Sequence, residues 1–293
     1  MSEYRSGLVA LAGRPNVGKS TLANALSGKH VAAVSPRAQT TRRRVNAVVH
    51  GDGWQAVLLD LPGFQRPGDG LTVRMQATVD LALQDVDAAL FVLNGTESIG
   101  AGDRLIAERL TVSKTPTILV VNKVDLCTPD EIAVYIAGAA ELVDFVAVHP
   151  VSAQTSDGVD ALRDGLAELL PEGPAYFPPD MTTDQTEEEL AAELIREAAL
   201  NRLRQEIPHA LAVEVEALEE VGDGVRVVAD VIVETESQKR IVVGKGGSMV
   251  RDIGQAARAE LGRLWGDKVH TSLMVKVRPR WRDDESLLDR LGI

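Results

Sequence analysis

Short apolar runs alternate with stretches of helical spacing through the first half of the chain. Residues 8–11, 56–59, 88–93, 117–121 and 145–151 are close to continuously apolar, while residues 21–26, 71–83, 103–110, 129–142 and 157–170 repeat apolar positions at helical intervals. Strands apolar on both faces, with helices between them, predict a mostly parallel sheet covered on both sides, an α/β domain. Residues 45–49 are predicted to pair as an edge strand beside 56–59, across the turn Gly51-Asp52-Gly53.

The pattern changes after residue 170. Residues 171–183 hold Gly173-Pro174 and Pro178-Pro179 without sustained periodicity and read as a linker. A capping box from Thr186 to Glu189 opens a helix that runs to about Gln205, with Leu190, Leu194 and Ile195 on one face. Alternation follows: Leu211, Val213 and Val215 on one strand, then Val225, Val227 and Ala229, or their neighbours, on the next, joined as a hairpin by Val221-Gly222-Asp223-Gly224. A helix after residue 247 presents Met249, Val250 and Ile253, a strand covers 270–277, and a short helix 286–291 ends the chain. The expected organisation is a first domain over 1–171, a linker over 172–185 and a second domain over 186–293.

Composition narrows the classes. The 45% apolar content supports folded cores, and no apolar run approaches the roughly 18 residues a spanning helix needs. Residues 1–7 lack the basic-then-apolar layout of a signal peptide, so a cytoplasmic protein is expected. The single cysteine, Cys127, cannot form an internal disulfide, and no His or Cys cluster has metal-ligand spacing. A net charge of −12 argues, taken whole, against a nucleic-acid partner. Its distribution argues otherwise: residues 171–237 carry 17 Asp and Glu against four Arg, whereas residues 239–282 carry 11 Lys and Arg against three acids. The acidic half reads as a solvated face; the basic half coincides with a motif described below.

The first candidate site is Gly13-Arg14-Pro15-Asn16-Val17-Gly18-Lys19-Ser20, followed by Thr21. It follows a strand-like run and opens a helix, the context a phosphate loop requires. Gly13 and Gly18 let backbone N–H groups converge on phosphate oxygens at a helix N-terminus, Lys19 adds a full charge, and Ser20 offers a hydroxyl to Mg²⁺. A turn that merely joined strand to helix would not need lysine and serine in register.

Asp60-Leu61-Pro62-Gly63 lies at a strand end, where Asp60 can hold Mg²⁺ through water and Gly63 can present its N–H to a γ-phosphate. Asn122-Lys123-Val124-Asp125 lies at another. The Asp125 carboxylate can accept both N1–H and N2–H of guanine, a donor pair that adenine lacks, so the reading is GTP rather than ATP. Ser152-Ala153 follows the last strand, with the Ala153 N–H placed for guanine O6. Within residues 35–44, Thr41 is favoured over Thr40 as the threonine that reaches Mg²⁺ when a γ-phosphate is present. Lys19, Thr41 and Gly63 would then stabilise the transferring phosphate, and no catalytic base is assigned.

In the second half, Gly244-Lys245-Gly246-Gly247 followed by Ser248 and Arg251 resembles the K-homology module, whose GxxG loop grips a single-stranded nucleic-acid backbone. It sits in the basic stretch with Lys239 and Arg240 before it and Arg278, Arg280 and Arg282 after it. Trp281, between those arginines, is expected to pack on the domain rather than stack on a base.

Taken in order, GRPNVGKST, QTTRR, DLPG, NKVD, VSA and this carboxyl-terminal module resemble the Era family of GTPases over nearly the whole chain. The resemblance implies a P-loop GTPase domain followed by an α+β type II K-homology domain, and a ribosome-assembly GTPase that binds small-subunit ribosomal RNA near its 3′ end. It implies Mg²⁺ as cofactor and, through Asn16, K⁺ beside the phosphates. It also implies a monomer in the cytoplasm, with peripheral contact at the inner face of the cell membrane left open. A passive RNA-binding factor and a tRNA-modification GTPase are the competing readings. Phe64 stands where many GTPases carry a water-positioning glutamine, so slow intrinsic turnover is expected. Leu61 replaces the family's usual threonine, with little expected consequence.

Overall fold

The apolar runs of the first half become a six-stranded sheet. The computed structural model describes residues 4–35, 37, 39–64, 67–203 and 207–293. Its strands are β1 (Arg5–Ala12), β2 (Val45–Gly51), β3 (Trp54–Asp60), β4 (Ala88–Asn94), β5 (Thr117–Asn122) and β6 (Ala147–Val151), in the order β2-β3-β1-β4-β5-β6. All neighbours are parallel except β2 and β3, which form the expected hairpin with Gly51 opposite Trp54. Helices α1 (Lys19–Ser27), α2 (Gly70–Ala82), α3 (Ala101–Ser113), α4 (Pro129–Ala139) and α5 (Val159–Leu169) connect them.

Alternate strand residues enter two separate cores. Val9, Leu11, Leu58, Leu90 and Val120 pack with Leu22 and Leu26 of α1 and Leu162 and Leu166 of α5. Ala10, Leu59, Phe91, Leu93 and Val121 pack with Val79 of α2 and Ile106 and Leu110 of α3. Burial on both faces is why these strands read as continuous apolar runs.

The second half forms α6 (Glu187–Arg202), β7 (Ala212–Val221), β8 (Gly224–Val233), α7 (Glu236–Val243), α8 (Ser248–Trp265), β9 (Val269–Val277) and α9 (Glu285–Arg290). The expected helix end at Gln205 lies outside the described residues; α6 runs to Arg202, and Thr186 caps it by accepting from Glu189 N–H. β7 is antiparallel to β8, with a bulge between Val215 and Ala217, and β8 is parallel to β9. Leu194, Ile195, Val227, Val231, Ile253, Ala257 and Leu261 make this core.

The chain divides into two units, Met1–Ala32, Thr41–Arg66 and Met75–Asp184 in one, Ala33–Thr40, Pro67–Arg74 and Gln185–Ile293 in the other. Two segments from the first half of the sequence therefore belong structurally to the second unit. Conversely, residues 172–184, which read as linker, are fixed to the first unit. Gln55 is fully buried, and its amide oxygen accepts from Tyr176 and Phe177 N–H at 2.8 and 3.0 Å while its nitrogen donates to the Phe177 carbonyl at 2.8 Å. A buried amide requires such partners, and the proline-rich segment supplies them from its backbone.

Among the described residues no helix is long and apolar enough to cross a membrane.

Candidate nucleotide site and nucleic-acid interface

The phosphate loop turns where β1 ends and α1 begins. Gly18, at φ 101°, caps α1 in the left-handed region, and a side chain there would collide with the Asn122 amide at 2.2 Å. That amide is the hub of the site. Its nitrogen donates to the Val17 carbonyl at 2.9 Å, and its oxygen accepts from Lys123 N–H at 2.8 Å and Ala153 N–H at 3.0 Å. One buried side chain thus binds the phosphate loop, the base-reading loop and the loop after β6. Lys123 adds a second tie, donating from Nζ to the Asn16 carbonyl at 2.9 Å.

Lys19 is buried and donates to the carbonyls of Gly13 and Arg14, both at 3.1 Å. Burial pushes its ammonium down to about 8, with the Asp60 carboxylate opposing the shift. Next to it, Ser20 Oγ donates to Asp60 Oδ2 at 2.6 Å and lies 2.9 Å from Thr41 Oγ1, which itself donates to Asp60 Oδ2 at 3.2 Å. The three oxygen groups named as candidate Mg²⁺ ligands converge, and hydroxyl and carboxylate oxygens are the donors that a hard divalent cation takes. Thr40 does not join them, because its hydroxyl donates to the Arg37 carbonyl at 2.7 Å.

Gly63 lies against the phosphate loop: a Cβ would stand 2.8 Å from Pro15 N. Leu61, Pro62 and Phe64 around it are buried. Thr21 is half-buried in the first turn of α1, and Asn16 is exposed with φ 65°. Asp125 sits on a one-turn 3₁₀ helix, Val124–Leu126, with its carboxylate exposed. Ser152 is fully buried, and its hydroxyl accepts from Thr155 N–H at 3.1 Å.

Ala153 N–H, placed by the sequence at guanine O6, is engaged by Asn122. Arg14 faces α3, with Nε on the fully buried Asp103 carboxylate at 2.7 Å and Nη2 on Glu97 at 3.1 Å. Only its backbone belongs to the phosphate loop.

In the second unit, Gly244, Gly246 and Gly247 all have positive φ, at 72°, 59° and 78°. A Cβ on Gly244 would meet Met249 N at 2.7 Å. Lys245 is exposed between them, Ser248 opens α8, and Arg251 points outward one turn on. Arg240 is exposed at the end of α7, and Lys239 is half-buried. Beside this loop, α8 and β9 enclose a groove of about 480 Å³ lined by Val250, Arg251, Gln255, Arg258, Thr271 and Leu273, among others. Gly254 allows that closeness, since a Cβ would stand 2.9 Å from Thr271 Oγ1.

Gln255, Arg258, Thr271 and Leu273 were not legible as site residues. The signal that existed was the seven-residue spacing of Arg251 and Arg258, two turns apart on one helix face. The basic run at the carboxyl end is partly neutralised. Arg282 pairs with Asp69 at 3.0 Å and Glu234 at 3.4 Å, and Trp281 is fully buried with Nε1 donating to the Ala210 carbonyl at 2.8 Å. The acidic stretch is likewise not simply a solvated face, because Glu193, Glu214 and Glu234 each hold an arginine.

Comparison with known proteins agrees with both halves. Residues 8–123 match the family described as 50S ribosome-binding GTPase, and residues 206–282 match the KH domain family. GTPase Era of Mycobacterium avium is 46% identical over the full length of both chains, and GTPase Era of Lacticaseibacillus paracasei is 42% identical over 100% of this chain and 98% of its own. A crystal structure of Era in complex with MgGDPNP and nucleotides 1506–1542 of 16S ribosomal RNA superimposes with a TM-score of 0.95 at 34% identity, covering 99% of both chains.

Proposed function

Since the chain belongs to the Era family of GTPases, we infer that it is a GTP-hydrolysing, RNA-binding protein that grips the 3′ region of small-subunit ribosomal RNA and assists assembly of the small subunit. The observation that carries the nucleotide half is the convergence of Ser20, Thr41 and Asp60 within 3.2 Å beside a buried Lys19. The GxxG loop with its adjoining groove supports the RNA half.

In this reading the phosphate loop receives the triphosphate on backbone N–H groups, and Lys19 leaves its two carbonyl partners for phosphate oxygens. Ser20 and Thr41 would hold Mg²⁺ directly and Asp60 through water; bound there, the ion neutralises charge on the phosphates. Gly63 N–H, held against Pro15, reaches the γ-phosphate. Asp125 selects guanine, while Asn122 keeps the base and phosphate loops in register. Phe64 is turned into the core, so no side chain at that position orients the attacking water and turnover is slow. Asn16, exposed on the loop, would help hold K⁺.

On the RNA side, the three left-handed glycines let a phosphodiester backbone approach, Lys245, Arg251 and Arg240 supply charge, and the α8–β9 groove takes bases. The nucleotide governs the grip through Thr41, which engages only a triphosphate. The protein works in the cytoplasm as a monomer. Purified protein should hydrolyse GTP and bind an oligonucleotide of the 16S 3′ end; absence of turnover together with a Lys19→Ala protein that still binds GTP would refute the reading.

A further inference from the structure

Helix α6 carries Glu193, Arg196 and Glu197 at intervals of three and one, so the three side chains share one face. The core of the second unit is built from other positions of that helix, Ala191, Leu194, Ile195 and Ala198. The charged face instead holds Val34, Gln39 and Thr40, which belong to the same unit. Glu197 accepts from Val34 N–H at 3.1 Å. Arg196, 3% exposed, donates from Nη1 to the Gln39 carbonyl at 3.3 Å and from Nη2 to the Thr40 carbonyl, with Glu193 as its counterion. Arg37 returns a bond from its Nη2 to the Leu203 carbonyl at 3.4 Å.

Burying a guanidinium is tolerated only when its charge is paired and its donors are satisfied, and both conditions are met here. The result is a fixed point rather than a surface ion pair. What it fixes is the Thr40 carbonyl, which lies in the same planar peptide as the Thr41 nitrogen. Orienting that plane orients Thr41, whose hydroxyl stands 2.9 Å from Ser20 Oγ and 3.2 Å from Asp60 Oδ2.

We propose that Arg196 is a positioning residue for Thr41, through which the first helix of the K-homology unit sets the preference for GTP over GDP. This deepens the function given above and rests on Thr41 acting as a metal ligand. The effect passes along one peptide bond. It is also reciprocal: a γ-phosphate that draws in Thr41 acts on α6, and whatever displaces α6 alters the preference for GTP. Lysine could replace the arginine only in part, because two successive carbonyls and a carboxylate call for a planar fork of donors.

The test is calorimetry on the full chain with Mg²⁺, comparing a non-hydrolysable GTP analogue with GDP for wild type, Arg196→Gln, Arg196→Lys and Thr41→Ala. Arg196→Gln should lose roughly tenfold in affinity for the analogue while GDP binding is unchanged, with Arg196→Lys between it and wild type. Unchanged GDP binding also reports that the variant is folded. Equal losses for both nucleotides, or no loss in Arg196→Gln while Thr41→Ala loses analogue selectively, would overturn the role of Arg196 alone. If Thr41→Ala itself binds the analogue as wild type does, the assignment of Thr41 falls and the positioning role falls with it.

Discussion

The guanidinium of Arg109 lies over the ring of Phe64, 5.2 Å from its centroid, while its Nη1 pairs with Asp80. Phe64 follows the glycine that faces the phosphate loop, yet its ring is 7% exposed and packs with Leu59, Val79, Leu83 and Phe91. The position that orients water in many GTPases is here a core position, held from α2 and α3.

Replacing that ring should therefore cost stability rather than chemistry. Phe64→Ala is expected to lose about 3 kcal/mol, as large-to-small core changes do, and Phe64→Leu about 1 kcal/mol through the lost cation–π contact and altered shape. Urea unfolding measures both. Turnover per folded molecule should remain near wild type, and a large selective fall in kcat would place the ring in the reaction.

Lys19 gives nucleotide binding a pH dependence. Its ammonium titrates near 8 in the buried site, and a neighbouring triphosphate favours the charged form, so the bound-state pKa lies above the free one. Affinity is then complete below about pH 8 and falls as pH rises through it, by up to about tenfold per unit. Titrating a GTP analogue across that range should show the slope, and Lys19→Arg, charged throughout, should lack it.

Asp125 stands exposed with Asn122 fixing the loop before it, so base choice should rest on the carboxylate itself. Asp125→Asn should weaken GTP by at least about 30-fold and favour xanthosine triphosphate, whose O2 can accept from the new amide. Competition binding with the two nucleotides decides this, and unchanged GTP affinity would remove Asp125 from base recognition.

Arg258 lines the α8–β9 groove two turns beyond Arg251. Arg258→Ala should lower affinity for single-stranded RNA several-fold and reduce the slope of log affinity against log salt by about one. Trp281→Phe, at a buried site, should leave RNA affinity unaltered at equal folding. Fluorescence anisotropy over a salt series reads both.

The motifs proposed here for phosphate, magnesium and guanine were legible because short spacings at strand ends fix their geometry. Gly18 takes the left-handed turn that a glycine permits, and Asp60 at its strand end lies beside Ser20 and Thr41. What the sequence concealed depends on pairing at a distance. Gln55 is an ordinary polar residue in a strand until its neighbours prove to be the backbone of residues 176 and 177. Glu193 and Arg196 count as helix-surface charges until the Gln39 and Thr40 carbonyls meet them. Charge counting misjudged Arg282 for the same reason, since a basic run does not reveal that Asp69 and Glu234 neutralise one of its members. The α8–β9 groove needs two elements brought together, and in the sequence it was marked only by the spacing of Arg251 and Arg258 on one helix face.

The central claim is that the nucleotide governs RNA binding, and it is tested most directly by measuring the affinity of the full chain for an oligonucleotide of the 16S 3′ end with a Mg²⁺-bound GTP analogue, with GDP and without nucleotide. The account predicts tighter binding with the analogue than in either other state. Equal affinity in all three would contradict it.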